Sequence, residues 1–378
     1  MLLLFIQKSA GRGGAKSRLL DTLATLKLNT NCVLHVLTSE CGEFTEHCAS
    51  LGIPVTIHPL PEWRKWFQRL FFSSSINSII NQLPFDKADW VISNEMWWAP
   101  HASALAKKLG AKSASIIRDG IADRKKARKY TLQNNDLVLP VSIKIAAALR
   151  RDPKLAFKTH VLLDAVILNQ SKATSFKCLE SSLSNVSASV KRWLLVIGKV
   201  QARKKQTDAV RVLRALIDKG WNDFGLILAG DCDPKYLLEM DDVISECNVN
   251  DRVVMLGNYS DISNLFALQP ICLLTSLREA LPGSVIESFL AGRPCFMYPC
   301  EGAEDIFGPH QHLFVCDDFE PSLLVNKMLP LLNNPSQMQY ETDAVQKRAQ
   351  NFFSSDAHFH SITSLLEINT TISCLKLL

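Results

Sequence analysis

Residues 273–308 read LLTSLREALPGSVIESFLAGRPCFMYPCEGAEDIFG. The apolar run Ile271–Leu274 leads into this stretch. It is short and unbroken, as a strand buried on both faces of a parallel sheet is. A loop carrying Glu279 follows, and Pro282, Gly283 and Ser284 open a helix whose first turn is expected to hold Glu287; Gly292-Arg293-Pro294 stops that helix before a further apolar run. Two carboxylates therefore flank one helix N-terminus. The free N–H groups of Gly283, Ser284, Val285 and Ile286 are expected to favour an anion there, such as a diphosphate, with the acids taking hydroxyls on either side of it.

The same alternation runs through the chain. Strands are expected at Leu2–Ile6, Cys32–Leu37, Pro54–Ile57, Trp90–Ile92, Ser113–Ile117 and Leu137–Val141, then again at Trp193–Ile197, Phe224–Leu228, Val253–Leu256, Ile271–Leu274 and Pro294–Met297, with helical segments between. That pattern predicts an α/β protein with doubly wound parallel sheets. A length of 378 residues suits two domains, and 47% hydrophobic with 21% charged residues suits a full core in each. The first is expected over residues 1–172 and the second over 190–350, joined through a Ser-rich stretch at 170–191, with a helical tail over 351–378.

The net charge of +5 conceals an asymmetry. Residues 1–172 hold 24 Lys and Arg against 13 Asp and Glu, a balance of +11, whereas residues 173–378 hold 18 against 24, a balance of −6. A basic first half suggests an acidic partner. Residues 63–80 (WRKWFQRLFFSSSINSII) set Arg64, Lys65 and Arg69 among aromatic rings, which suits either an inner-leaflet membrane surface or a helix with a buried aromatic face. The run Arg124–Lys129 reads as a solvated helix face, and no reader motif for nucleic acid accompanies it. The eleven cysteines are scattered without paired spacing and most lie in apolar runs, which suits reduced thiols in a cytoplasmic protein. The apolar run Leu2–Ile6 is too short for a signal peptide, and no stretch approaches a membrane span.

Two glutamates separated by seven residues, within strand, Pro-Gly helix start and Gly-x-Pro stop, resemble the E-x7-E element of the retaining glycosyltransferases of family four, the glycosyl transferases group 1. Ser276, Glu279, Leu281, Pro282, Glu287, Gly292 and Pro294 fit it, while Ala280 stands where that family usually has Gly. The resemblance implies the GT-B fold, two Rossmann-like domains facing across a cleft. It implies metal-independent transfer of a sugar from a nucleotide diphosphate sugar to a saccharide or lipid-linked acceptor, with no cofactor and with the anomeric configuration retained; cell-envelope glycan synthesis is the expected setting.

In its terms Glu279 holds the transferred sugar, Glu287 the ribose diol, and Pro282, Gly283, Ser284 and Val285 line the donor. Lys199 and Lys204 fall on the family's diphosphate-binding Arg and Lys positions, after Gly198. Gly13 and Gly14 match its glycine-rich turn after the first strand, although a tight turn without a ligand is the alternative. Arg118 stands where many members carry a cleft histidine, and is expected to pair with a phosphate or an acidic acceptor sugar; His101 is the other candidate for that place. Asp231-Cys232-Asp233 spells a metal signature of another glycosyltransferase fold, but after a strand it reads as a turn and helix cap. A catalytically silent nucleotide- or partner-binding protein on the same fold is the rival reading, favoured by Arg118, Ala280 and Asp164-Ala165.

Overall fold

The computed structural model describes residues 1–11, 13–63, 71–120, 123–168, 179, 181–184, 186–259 and 261–369. Arg64, Lys65, Arg69 and much of the Ser-rich stretch lie outside them. The chain divides into two units, Met1–Val166 with the chain from Phe352 onward, and Ile167–Asn351.

The first unit is built on β1 (Leu2–Ile6), β2 (Val33–Thr38), β3 (Val55–Ile57), β4 (Trp90–Ser93), β5 (Lys112–Ile117) and β6 (Leu137–Pro140). Every pair is parallel and the order is β3-β2-β1-β4-β5-β6. Leu3, Leu4, Phe5 and Ile6 are wholly buried, as a central strand covered on both faces requires. The order reverses between β1 and β4, and in open sheets of this kind ligands settle outside the carboxyl ends of the strands at such a point. Helix Ser355–Leu365 packs on helix Gly14–Asn29 in this unit. His358 of the former meets Thr22 Oγ1 at 2.9 Å through Nε2 and the carbonyl of Leu163 at 2.6 Å through Nδ1, and the Trp90 indole donates to the carbonyl of Leu366 at 2.9 Å.

The second unit holds β7 (Arg192–Ile197), β8 (Phe224–Ala229), β9 (Val253–Gly257), β10 (Ile271–Leu274) and β11 (Cys295–Met297). The order is β11-β10-β7-β8-β9, again all parallel, with its reversal between β7 and β10. All eleven strands lie within a residue or so of where the apolar runs put them. Cys272 and Cys295 face each other across β10 and β11, and burial pushes the Cys272 thiol up to about 12, so it packs as a small hydrophobe. Among the described residues no helix is long and apolar enough to cross a membrane.

Candidate functional site

The loops that leave β7 and β10 carry the residues singled out in the second unit. β7 is followed by Gly198, whose amide donates to the carbonyl of Ala229 at 2.8 Å and whose φ of 136° favours glycine. Gly230, at the end of β8, has to be a glycine for another reason: a Cβ there would stand 2.3 Å from the carbonyl oxygen of Gly198 and 2.9 Å from the nitrogen of Lys199. Lys199 is exposed. The wholly buried Gln206 ties down the loop beyond it, donating from Nε2 to the carbonyl of Lys199 at 2.9 Å and accepting from the amide of Gln201 at 3.2 Å.

The loop then makes one tight turn, Ala202–Lys204, and passes through Lys205 in the left-handed region at φ 49°. That conformation costs a non-glycine residue about 1–2 kcal/mol. An ion pair compensates, since the Lys205 ammonium reaches Asp208 at 3.2 Å. Asp208 is itself buried, accepting from Tyr298 Oη at 2.9 Å and pairing with Arg211 at 2.8 Å. Thr275, just past β10, donates through its hydroxyl to the carbonyl of Lys204 at 2.9 Å. Helix Gln206–Asp218, the end of β11 and the end of β10 thus all hold the backbone of this loop.

What the loop presents is Lys204, whose ammonium lies 2.5 Å from Glu279 Oε1. Arg203 is the second partner, with Nη1 3.2 Å from the same oxygen and 2.6 Å from the carbonyl of Arg278. Burial alone pushes the Glu279 carboxyl up, but the charges of Lys204 and Arg203 and the hydrogen bond from Lys204 outweigh it and leave it below the ordinary carboxylate range. The backbone of Glu279 is fixed as well. Its carbonyl accepts from the amide of Glu301 at 3.2 Å, and a Cβ on Gly302 would stand 2.6 Å from the carbonyl oxygen of Ala280, so the Glu301-Gly302 turn packs directly on this loop.

Helix Gly283–Leu290 begins behind Pro282. The sequence reading needs two corrections here. Glu287 is the fifth residue of the helix and not in its first turn, because Pro282 itself is the cap. The amides of Val285 and Ile286 turn back to the carbonyl of Pro282 at 3.2 and 3.4 Å, so Gly283 and Ser284 supply the free N–H groups of this end. Chemically the assembly is a set of cations, Lys199, Arg203 and Lys204, and two free amides beside a carboxylate. It suits an anion that leaves with growing negative charge. Asp233 caps helix Pro234–Glu246, accepting from the amide of Lys235 at 3.1 Å, as the turn reading of Asp231–Asp233 requires.

In the first unit Gly13, at φ 156°, precedes helix Gly14–Asn29 and accepts from the amides of Lys16 and Ser17. Arg118, expected to pair with a phosphate or an acidic acceptor sugar, lies past the end of β5. Nη1 forms a buried ion pair with Asp164 and Nε donates to Asn94 Oδ1 at 3.1 Å, which leaves Nη2 buried without a partner. His101, the other candidate for that place, lies in the core. It is wholly buried between the rings of Phe72 and Trp98, with centroids 4.8 and 5.1 Å away, and burial drives its pKa down to about 3. The basic run Arg124–Lys129 is a largely exposed helix face, as expected, from which Arg124 and Arg128 also reach the buried Asp152, at 3.2 and 3.1 Å. Arg203, Gln206, Thr275, Asp208 and Tyr298 are the site residues that sequence reasoning missed. Only Arg203 carried a visible signal, its place in the basic loop.

Residues 182–350 match the family model of the glycosyl transferases group 1. A 2-deoxystreptamine glucosyltransferase of Streptomyces kanamyceticus is 29% identical over 114 residues, which cover 30% of this chain and 29% of that protein, so the match spans less than a third of either. Among solved structures, Anabaena Alr3699/HepE in complex with UDP and glucose is similar with a TM-score of 0.78 at 17% identity, over 97% of this chain and 99% of that one. WaaG, a glycosyltransferase involved in lipopolysaccharide biosynthesis, is similar with a TM-score of 0.68 at 12% identity, over 98% and 100%. The second unit therefore carries the match to the glycosyl transferases group 1, and the likeness to these structures over nearly the whole chain, with two parallel α/β units of this order, gives it the GT-B fold.

Proposed function

We propose that the protein is a retaining, metal-independent glycosyltransferase that moves a sugar from a nucleotide diphosphate sugar to an acceptor hydroxyl. The observation that carries this reading is the Lys204–Glu279 pair at the reversal point of the second sheet, beside the amides of Gly283 and Ser284. As the glycosidic bond breaks, charge grows on the departing diphosphate. Lys199, Lys204 and those amides stabilise that charge in place of a divalent ion. Glu279 takes hydroxyls of the transferred sugar, Glu287 the ribose diol, and the diphosphate itself accepts the acceptor's proton. Relatives solved with UDP and with UDP-glucose make UDP the first base to test.

The first unit is assigned to the acceptor, and its excess of basic residues suits envelope glycan or lipid-linked substrates at an anionic membrane surface. Thermal shift across UDP-, GDP-, ADP- and CMP-sugars without metal tests the donor reading, followed by a hydrolysis assay on any hit. A UDP-sugar shift abolished by Glu287→Ala supports it. No shift with any donor returns the weight to a silent binder, the reading that the internal commitment of Arg118 favours. Flotation with liposomes tests the membrane assignment, which equal binding to neutral and anionic vesicles would overturn.

A further inference from the structure

The basic loop after β7 carries one cation more than a diphosphate calls for. Lys199 and Lys204 are assigned to the phosphates, and Lys205 is taken up by Asp208. Arg203 remains. Residues 173–378 carry a balance of −6, so this extra cation is no part of a general basic surface.

Arg203 is fixed at both ends. Its carbonyl accepts from the amide of Leu277 at 3.0 Å, which ties the loop after β7 to the loop after β10. Its guanidinium is held through Nη1 alone, by the carbonyl of Arg278 at 2.6 Å and by Glu279 Oε1 at 3.2 Å. Among the described residues Nε and Nη2 have no partner, and the side chain keeps 40% of its surface. Those two nitrogens form one edge of the planar group, whose parallel N–H bonds match the two oxygens of a carboxylate. Anchorage through Nη1 holds that open edge in a set orientation, so little freedom is lost when a ligand meets it.

What the edge addresses follows from the oxygen that Arg203 shares. Glu279 Oε1 accepts from both Lys204 and Arg203, so a hydroxyl held by Glu279 comes to lie beside the guanidinium. In the reading above that hydroxyl belongs to the transferred sugar. A neutral hexose offers the open edge one hydroxyl at a time, whereas a uronic acid, whose C6 is a carboxylate next to the ring, offers it two oxygens in a plane. Glu279 would repel a second carboxylate, but the Lys204 ammonium neutralises it and, with three N–H donors, keeps others for the phosphate. Arg278, exposed in the same loop, adds a positive charge of its own.

We propose that Arg203 selects the donor by its sugar, and that this sugar is a uronic acid carried on UDP. The proposal rests on the glycosyltransferase reading and adds the chemical class of the sugar and the residue that recognises it. Calorimetry on the full chain without metal tests it, with UDP, UDP-glucose, UDP-galactose, UDP-glucuronate and UDP-galacturonate. At least one uronate is expected to bind about ten- to hundred-fold more tightly than its own hexose, the worth of one charged, two-pronged contact. Arg203→Met is expected to bring that ratio to about one, and Arg203→Lys, which keeps the charge and loses the planar fork, to leave it in between. Each ratio is taken within one protein, so any change in UDP affinity common to hexose and uronate cancels.

UDP alone separates the two failures. If it does not bind, the donor reading on UDP fails and this one falls with it. UDP bound, with each hexose held as tightly as its uronate in the wild type, overturns the uronic acid and leaves the donor reading standing. A uronate preference that survives intact in Arg203→Met overturns the role of Arg203.

Discussion

Lys204→Met separates the roles of the central ion pair. Lys204 and Glu279 keep only 17% and 16% of their side-chain surface, so their pair lies between the surface case, worth little, and the buried case. Removing one partner of a fully buried pair costs about 3–5 kcal/mol, because the other charge is left stranded. With the pair only partly buried and Arg203 still 3.2 Å from the carboxylate, a loss at or just below the bottom of that range, about 2–3 kcal/mol, is expected here. In a unit of this size that is a fall in Tm of about 4–12 °C. Glu279→Gln strands the cation instead, and the double variant strands neither, so it should be more stable than the sum of the two losses by about 1–2 kcal/mol. Thermal and urea denaturation of the four proteins measures that coupling, and additivity within about 0.5 kcal/mol would refute the reasoning. The pH dependence has a definite sign. A carboxyl held below its ordinary range contributes stability above that range and loses it as pH falls through the folded value, so the gap between wild type and Glu279→Gln should close in acid. Function should split differently. Glu279→Gln frees Lys204 for a diphosphate, so UDP binding should hold or tighten while transfer falls about 10²- to 10³-fold.

Gly230→Ala puts a methyl group against the backbone of Gly198 and Lys199, and overpacking of this kind costs about 1–3 kcal/mol; a variant as stable as wild type with unchanged UDP affinity would show that the loop yields freely. Tyr298→Phe leaves the buried Asp208 carboxylate short of a donor at about 1–3 kcal/mol, read as a lowered urea midpoint, and no change would mean that Arg211 and Lys205 suffice to hold it. His101 and His358 are both kept neutral by burial, so the unfolded chain takes up protons that the fold refuses as pH drops below about 6.5. His101 alone should cost about 2 kcal/mol between pH 7 and pH 5, which a midpoint independent of pH would contradict and which His101→Phe should remove.

What could be read from the sequence followed from how each kind of information is written there. A parallel strand covered on both faces must be apolar at every position, so Leu2–Ile6 or Ile271–Leu274 announces itself locally and its ends come out nearly right. The strand, loop and helix around Glu279 were legible for the same reason, since Pro282-Gly283 and Gly292-Arg293-Pro294 punctuate the chain wherever they stand. Side-chain partners are written nowhere. Glu279 finds Lys204 across 75 residues, Arg118 finds Asp164 across 46, and Asp208 finds Tyr298 across 90. Arg118 looked like a free ligand because, read in a line, a charged residue past a strand end has no neighbour to spend itself on. Its guanidinium goes instead to Asp164 and Asn94, and so ties the end of β5 to that of β4. Strand order is hidden in the same way: that the first sheet reverses beside β4, and the second beside β10, the strand before Glu279, shows only when the strands are set side by side.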